Sequence, residues 1–259
     1  MKVDLHNHTP LCHHANGTPI EYVQKAIEAG IKYFGFSDHA PMKFDEKYRM
    51  SFDEMKIYEK TVRELQSEFQ NQIEILFAYE VDFLDGYMDK RVFEQKTDYF
   101  IGSVHFLNGW GFDNPEFIGG YENKDMDNIW KEYFDAIEKM AKSGLFDIVG
   151  HIDLLKIFKY LPKTDVRILS KNALKAIKKA DMTIEINTAG FRKPINEQYP
   201  SRTILEVARE LDIIITFGSD AHESEHVGYK SDEAQSLAKE CGYDKCAVFS
   251  RRDISLVKF

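Results

Sequence analysis

Short apolar runs alternate with longer amphipathic stretches along the whole chain. The first run, KVDL at residues 2–5, reads as a strand. Six more runs have the same character: residues 32–38, 73–83, 98–107, 146–153, 182–188 and 212–222. Between them the apolar positions recur at helical spacing. Thr18-Pro19-Ile20-Glu21 forms a capping box with proline at the first helical position, and the helix it opens stops at Gly30. Ser51 with Glu54 repeats the box and opens a helix to about Gln70. Further helices are predicted over 124–143, 165–180, 201–211 and 231–242, and the C-terminal run reads as a last strand.

Strands alternating with helices imply right-handed βαβ units and a parallel sheet. No linker, repeat or low-complexity stretch interrupts the series. The expected fold is therefore one closed α/β barrel over residues 1–259, with a doubly wound open sheet as the alternative. No glycine-rich nucleotide-binding pattern follows any strand.

Composition narrows the class. At 259 residues and 43% hydrophobic, the chain can bury a sizeable core. A formal net charge of -9, with both signs interspersed, disfavours broad nucleic-acid binding. Three cysteines, Cys12, Cys241 and Cys246, are odd in number and sparse, which points to reduced thiols rather than a disulfide framework. The N-terminus enters a strand without a signal-peptide pattern, and no window approaches a membrane span. The expected location is the cytoplasm.

The histidines change the picture most. DLHNHTPLCHHA, Asp4 to Ala15, holds His6, His8, His13 and His14. The others are His39, His105, His151, His222 and His226. All nine fall at or just beyond the C-terminal end of a predicted strand, as do Glu80 and Asp220. In a parallel barrel those ends form one face, where active sites sit. A lone strand-end histidine is more often a hydrogen-bonded polar residue than a ligand. Repetition over five strands, with no histidine elsewhere, favours a multinuclear metal site. His6 and His8 alternate along one strand and so share a face. Glu80 and Asp220 are natural bridges, since a carboxylate has two oxygens to share. Imidazole and carboxylate donors suit Zn, Fe, Co, Ni or Mn. Many neutral imidazoles and few carboxylates leave the site positive, which favours an anionic substrate such as a phosphate ester.

DLHNHTPLCHHA, FSDHAP, the glutamate of AYEVDF, GSVHF, VGHID and GSDAH resemble the successive motifs of the polymerase-and-histidinol-phosphatase (PHP) superfamily, nearly end to end. That resemblance implies a distorted seven-stranded (β/α) barrel and three divalent metal ions. His6, His8, Glu80 and Asp220 would hold the first; Glu80, His105 and His151 the second; His14, His39 and His222 the third. His13 is expected to be a neighbour and not a ligand. GSVHFLNGWGFDNPEF, EINTAGFRK and YPS resemble the subgroup that hydrolyses L-histidinol phosphate. The implied reaction is attack on phosphorus by a hydroxide bridging two metals, with Glu80, Asp220 and His222 as catalytic residues. Arg192 is the best candidate for a bidentate phosphate clamp, with Lys156 and Lys193 as further candidates and His226 as a possible substrate contact. Asp38 and Asp153 are candidates to orient His39 and His151. A nucleotide phosphatase, exonuclease or tyrosine phosphatase of the same superfamily is the alternative, and a metal-bound non-enzymatic module is a third reading.

Overall fold

The computed structural model describes residues 2–259. Its main sheet is parallel and runs in sequence order. The strands are β1 (Val3–Asp4), β2 (Tyr33–His39), β3 (Glu74–Asp82) and β4 (Tyr99–Ser103). A small ribbon, β5 (Phe106–Leu107) with β6 (Trp110–Gly111), intervenes before β7 (Ile148–Val149), β8 (Thr183–Asn187) and β9 (Ile215–Gly218). The last barrel strand returns to the first. The Leu5 amide donates to the Phe217 carbonyl at 2.8 Å and the Asp220 amide to that of His6 at 2.7 Å, so the sheet nearly closes into a barrel. The doubly wound alternative is thereby set aside.

The outer helices are α1 (Pro19–Glu28), α2 (Glu54–Phe69), the short α3 (Lys90–Phe93), α4 (Met126–Lys142), α5 (Val166–Lys179), α6 (Arg202–Glu210) and α7 (Ser231–Glu240). The capping box predicted at Thr18 and Glu21 forms. Ser51 and Glu54 exchange the reciprocal bonds, the Ser51 amide donating to Glu54 Oε2 at 2.7 Å and the Glu54 amide to the Ser51 hydroxyl oxygen at 3.3 Å, but the helix itself begins at Glu54 with Asp53 as its N-cap. No described helix is long and apolar enough to cross a membrane.

Alternation along each strand decides what faces the barrel axis. On β3, Leu76 and Ala78 point inward beside Tyr99 and Ile101 of β4, and Tyr99 reaches across to donate to the Leu5 carbonyl at 2.6 Å. Glu80 and Asp82 continue that inward series toward the C-terminal end, where His39 pairs in register with Glu80. Phe34, Phe36, Phe77 and Tyr79 face the other way, into the layer covered by helices.

Several predicted strands are shorter or differently used; the run at 212–222, for one, is a strand only over Ile215–Gly218. The run at 98–107 stops pairing at Ser103, and Phe106 turns into the ribbon. The run at 146–153 pairs only at Ile148 and Val149. Gly150 lies so close to the Ser103 hydroxyl that a Cβ there would sit 2.4 Å from it, and His151 takes φ 22°. The C-terminal run is a hairpin, β10 (Lys245–Ser250) and β11 (Asp253–Lys258), rather than a single last strand. It covers the N-terminal end of the barrel: Phe249 packs on Tyr99 with ring centroids 5.5 Å apart, and the Thr216 hydroxyl donates to the Ala247 carbonyl.

Candidate metal centre

Nine side chains converge at the C-terminal mouth. His6 and His8 follow β1, His14 lies in the turn after them, His39 ends β2, and Glu80 sits late in β3. His105, His151, Asp220 and His222 lie just past β4, β7 and β9. Four groups of donor atoms lie within 4.8 Å of one another: His6 with His8 and Glu80, Glu80 with His105 and His151, His14 with His39 and His222, and His8 with Cys12 and His222. Glu80 is central, with Oε1 3.0 Å from His151 Nε2 and Oε2 3.3 Å from His6 Nε2 and 3.0 Å from His39 Nδ1. Asp220 completes the first group, its Oδ1 3.1 Å from His8 Nε2. Asp220 itself holds a left-handed backbone, φ 51°.

The far nitrogens are fixed by acceptors. His6 Nδ1 lies 2.7 Å from Glu185 Oε1, His105 Nδ1 2.7 Å from Asp82 Oδ1, and His8 Nδ1 3.3 Å from Asp38 Oδ1. That arrangement holds each imidazole with Nε2 turned to the centre, as metal-binding histidines require. Asp38 thus orients His8 and also accepts from the His39 amide.

The third group gives the clearest sign of a cation site. His14 Nδ1 donates to the Cys12 carbonyl at 2.8 Å, and His222 Nδ1 to the Asp220 carbonyl at 3.1 Å. A carbonyl only accepts, so both Nδ1 atoms carry the proton and both Nε2 atoms carry lone pairs. Burial, then the neighbouring His8, lowers the pKa of both rings, which keeps them neutral. The two Nε2 atoms nevertheless face each other at 3.0 Å. Opposed lone pairs repel unless a cation lies between them, so these residues fit a metal ion.

Electrostatics agree. Burial alone would raise Glu80, but His6 and His39 hold its carboxyl well below the usual range. Asp220 behaves alike, with burial outweighed by His6 and His8. Burial would lower His6, yet Glu185, Glu80 and Asp220 carry it well above its ordinary value. Buried carboxylates need positive charge beside them, from protons or from metal.

A cavity of about 590 Å³ opens over this cluster. Arg192 lines it. Its Nη2 donates to the Ser219 and Asp220 carbonyls at 2.8 and 2.9 Å, while the buried Nη1 has no partner among the described residues. Lys193 and His226 line the same cavity. His13 does not; it is half-exposed and 4.0 Å from Glu54. The structure does not bring Lys156 to the cavity either. Its ammonium is buried against Asp153, Glu197 and the Gln198 carbonyl at 3.1, 3.0 and 2.8 Å. Asp153 serves that lysine and the Ser201 amide rather than His151.

Sequence reasoning missed Glu185, Asp82 and Arg49. Glu185 also accepts from the His151 amide at 3.0 Å. Arg49 is buried and binds Asp82 through Nε at 3.0 Å. For Glu185 a signal existed: a carboxylate in the middle of a buried parallel strand needs a partner.

The PHP domain family matches residues 4–189. The chain belongs to that family. Among PHP relatives, a "Probable histidinol-phosphatase" of Deinococcus radiodurans is 39% identical over 92% of this chain and 93% of its own length. The histidinol-phosphatase of Bacillus subtilis is 28% identical, covering 88% and 96%. The crystal structure of histidinol phosphate phosphatase from Lactococcus lactis, complexed with zinc, L-histidinol and phosphate, matches with a TM-score of 0.83 over 98% of each chain. At 24% identity, that last likeness is one of fold.

Proposed function

We propose that this PHP protein is a metal-dependent phosphomonoesterase that hydrolyses L-histidinol phosphate to L-histidinol and phosphate. The observation that carries this reading is the 39% identity to the Deinococcus "Probable histidinol-phosphatase" over nearly both full lengths. The donor set at the barrel mouth supports the chemistry. Residues 1–259 act as one catalytic domain. Free thiols at Cys12, Cys241 and Cys246 suit a cytoplasmic location.

His6, His8, Glu80 and Asp220 would hold one metal, Glu80, His105 and His151 a second, and His14, His39 and His222 a third. Zinc, iron and manganese all suit these donors. Such ions, when bound, lower the pKa of water toward neutrality and polarise phosphoryl oxygens. The chain's own residues do the rest. Glu80 and Asp220 stay ionised and, with His222, fix the catalytic charge distribution. Arg192 is anchored through one amino group and offers the other to a phosphate oxygen. His226, half-buried and lining the same cavity, would touch substrate. The cavity volume falls within the range of about 300–1,000 Å³ usual for small ligands. Phe106 and Phe117 give it apolar wall, and Asp45 and Asp113 give acidic wall for a cationic amine or imidazole.

The test is phosphate release from L-histidinol phosphate, 4-nitrophenyl phosphate, AMP and a short oligonucleotide. A kcat/KM for L-histidinol phosphate far above the other three is expected. Turnover of AMP or the oligonucleotide alone would overturn the substrate while leaving the metal site.

A further inference from the structure

Tyr199 is 1% exposed, yet it lines the cavity. Its hydroxyl is buried and has no hydrogen-bond partner among the described residues. Buried hydroxyls are normally satisfied, and leaving one unpaired is costly unless a ligand completes it.

The ring is held firmly. The Tyr199 amide donates to the Asn187 carbonyl at 2.9 Å, and the Asn187 amide donates back at 2.6 Å, so the residue is pinned to the end of β8. Gly190 leaves room for it: a Cβ there would lie 3.0 Å from the ring edge. The Lys156 ammonium sits 5.3 Å from the ring centroid, itself locked by Asp153 and Glu197. The buried lysine therefore supports the tyrosine instead of touching substrate.

Tyr199 also adjoins the donor cluster. Its ring meets the His151 ring edge to face, with centroids 6.3 Å apart. His151 Nε2 in turn lies 3.0 Å from Glu80 Oε1, in the cluster that would bind phosphate. Asp113 and Leu154 line the same cavity and would face the organic group. Burial, then the carboxylates of Asp153, Asp220 and Asp113, raise the pKa of the phenol, so it stays protonated. The atom joining phosphorus to the organic group is the ester oxygen.

We propose that the Tyr199 hydroxyl donates a hydrogen bond to the ester oxygen that leaves phosphorus, making Tyr199 a substrate-contacting residue held in place by Lys156. This rests on the phosphomonoesterase reading above. A water-derived hydroxide forms the new P–O bond as the ester P–O bond breaks; the hydrogen bond stabilises the negative charge that builds on the leaving oxygen, which takes its proton from water while Tyr199 keeps its own. It matters most for an aliphatic alkoxide and least for a leaving group already stable as an anion.

The experiment compares metal-loaded wild type and Tyr199→Phe on L-histidinol phosphate and 4-nitrophenyl phosphate. Expected is a loss in kcat/KM of about 10²-fold on the aliphatic ester, as for removal of one oxyanion donor. The loss on the aryl ester should stay under about threefold, because nitrophenolate needs little help. Metal content and thermal midpoint should match wild type. Equal losses on both esters, or none on either, would overturn the proposal. A wild type that hydrolyses neither ester would overturn the phosphomonoesterase reading itself, and this proposal with it.

Discussion

Both ends of the barrel bury their inward strand positions, and they fill the space with opposite chemistry. At the N-terminal end, Leu5, Leu76, Tyr99, Ile101 and Phe249 make an apolar plug sealed by the C-terminal hairpin. At the C-terminal end, the same inward positions carry Glu80, Asp82, His39 and Glu185, no more than 7% exposed. Burying apolar area stabilises a fold by about 25 cal/mol per Å². Burying carboxylates and imidazoles is costly and is sustained only by pairing. The difference assigns the work: one end holds the barrel together, and the other is preorganised around charge that a cation completes.

The comparison breaks most severely at Glu80, which touches two donor groups and His39. Glu80→Gln is expected to lower phosphate release by more than about 10³-fold, beyond the loss of a single oxyanion donor. Elemental analysis should show fewer bound metals per chain. A variant with full metal content and normal turnover would mean that Glu80 is a structural carboxylate.

At the other end, Phe249→Ala opens a void against Tyr99. It should cost about 3–5 kcal/mol in urea unfolding, while turnover per folded molecule stays close to wild type. Asp82→Asn should act in the reverse sense. It weakens the anchor on His105 Nδ1, and metal affinity at that group, followed by chelator competition, should fall about 10–100-fold.

A smaller effect distinguishes the stripped protein from the loaded one. Burial would depress His105, but Asp82 lifts its pKa to about 9, above the ordinary imidazole value of about 6.5. A raised folded-state pKa stabilises fully below the unfolded value and loses that contribution as pH rises through the folded one. The urea midpoint of metal-free protein should therefore decline between about pH 7 and pH 9. Metal binding displaces protons and strengthens over the same interval, so loaded protein should not show that decline. A metal-free midpoint flat across this range would remove the His105–Asp82 pair from the account.

The same contrast explains what the sequence disclosed. The alternation of apolar runs and helical stretches located all seven barrel strands, because inward and outward faces are both buried in a parallel barrel. Strand ends were less legible: the β7 ladder ends at Val149 and the Gly150 amide, where Gly150 lies close to the Ser103 hydroxyl and His151 takes φ 22°. The hairpin turn was hidden because Arg251 and Arg252 take φ 50° and 70° without the usual glycine or asparagine. At the mouth, histidines stood out since they occur nowhere else in the chain. Glu185 and Asp82 did not, because a carboxylate inside a strand run looks like ordinary alternation until its partner is known. Lys156 looked like a cation free to bind phosphate, and only tertiary packing shows it committed to Asp153 and Glu197.

The most direct test of the central claim is a metal titration with activity read on the same samples. Protein stripped by chelator would be reloaded with zinc, iron or manganese, and bound metal and hydrolysis of L-histidinol phosphate measured at each step. The account predicts no turnover when stripped and recovery that tracks bound metal, saturating near about three ions per chain. Full turnover with far less than about one ion per chain would contradict it.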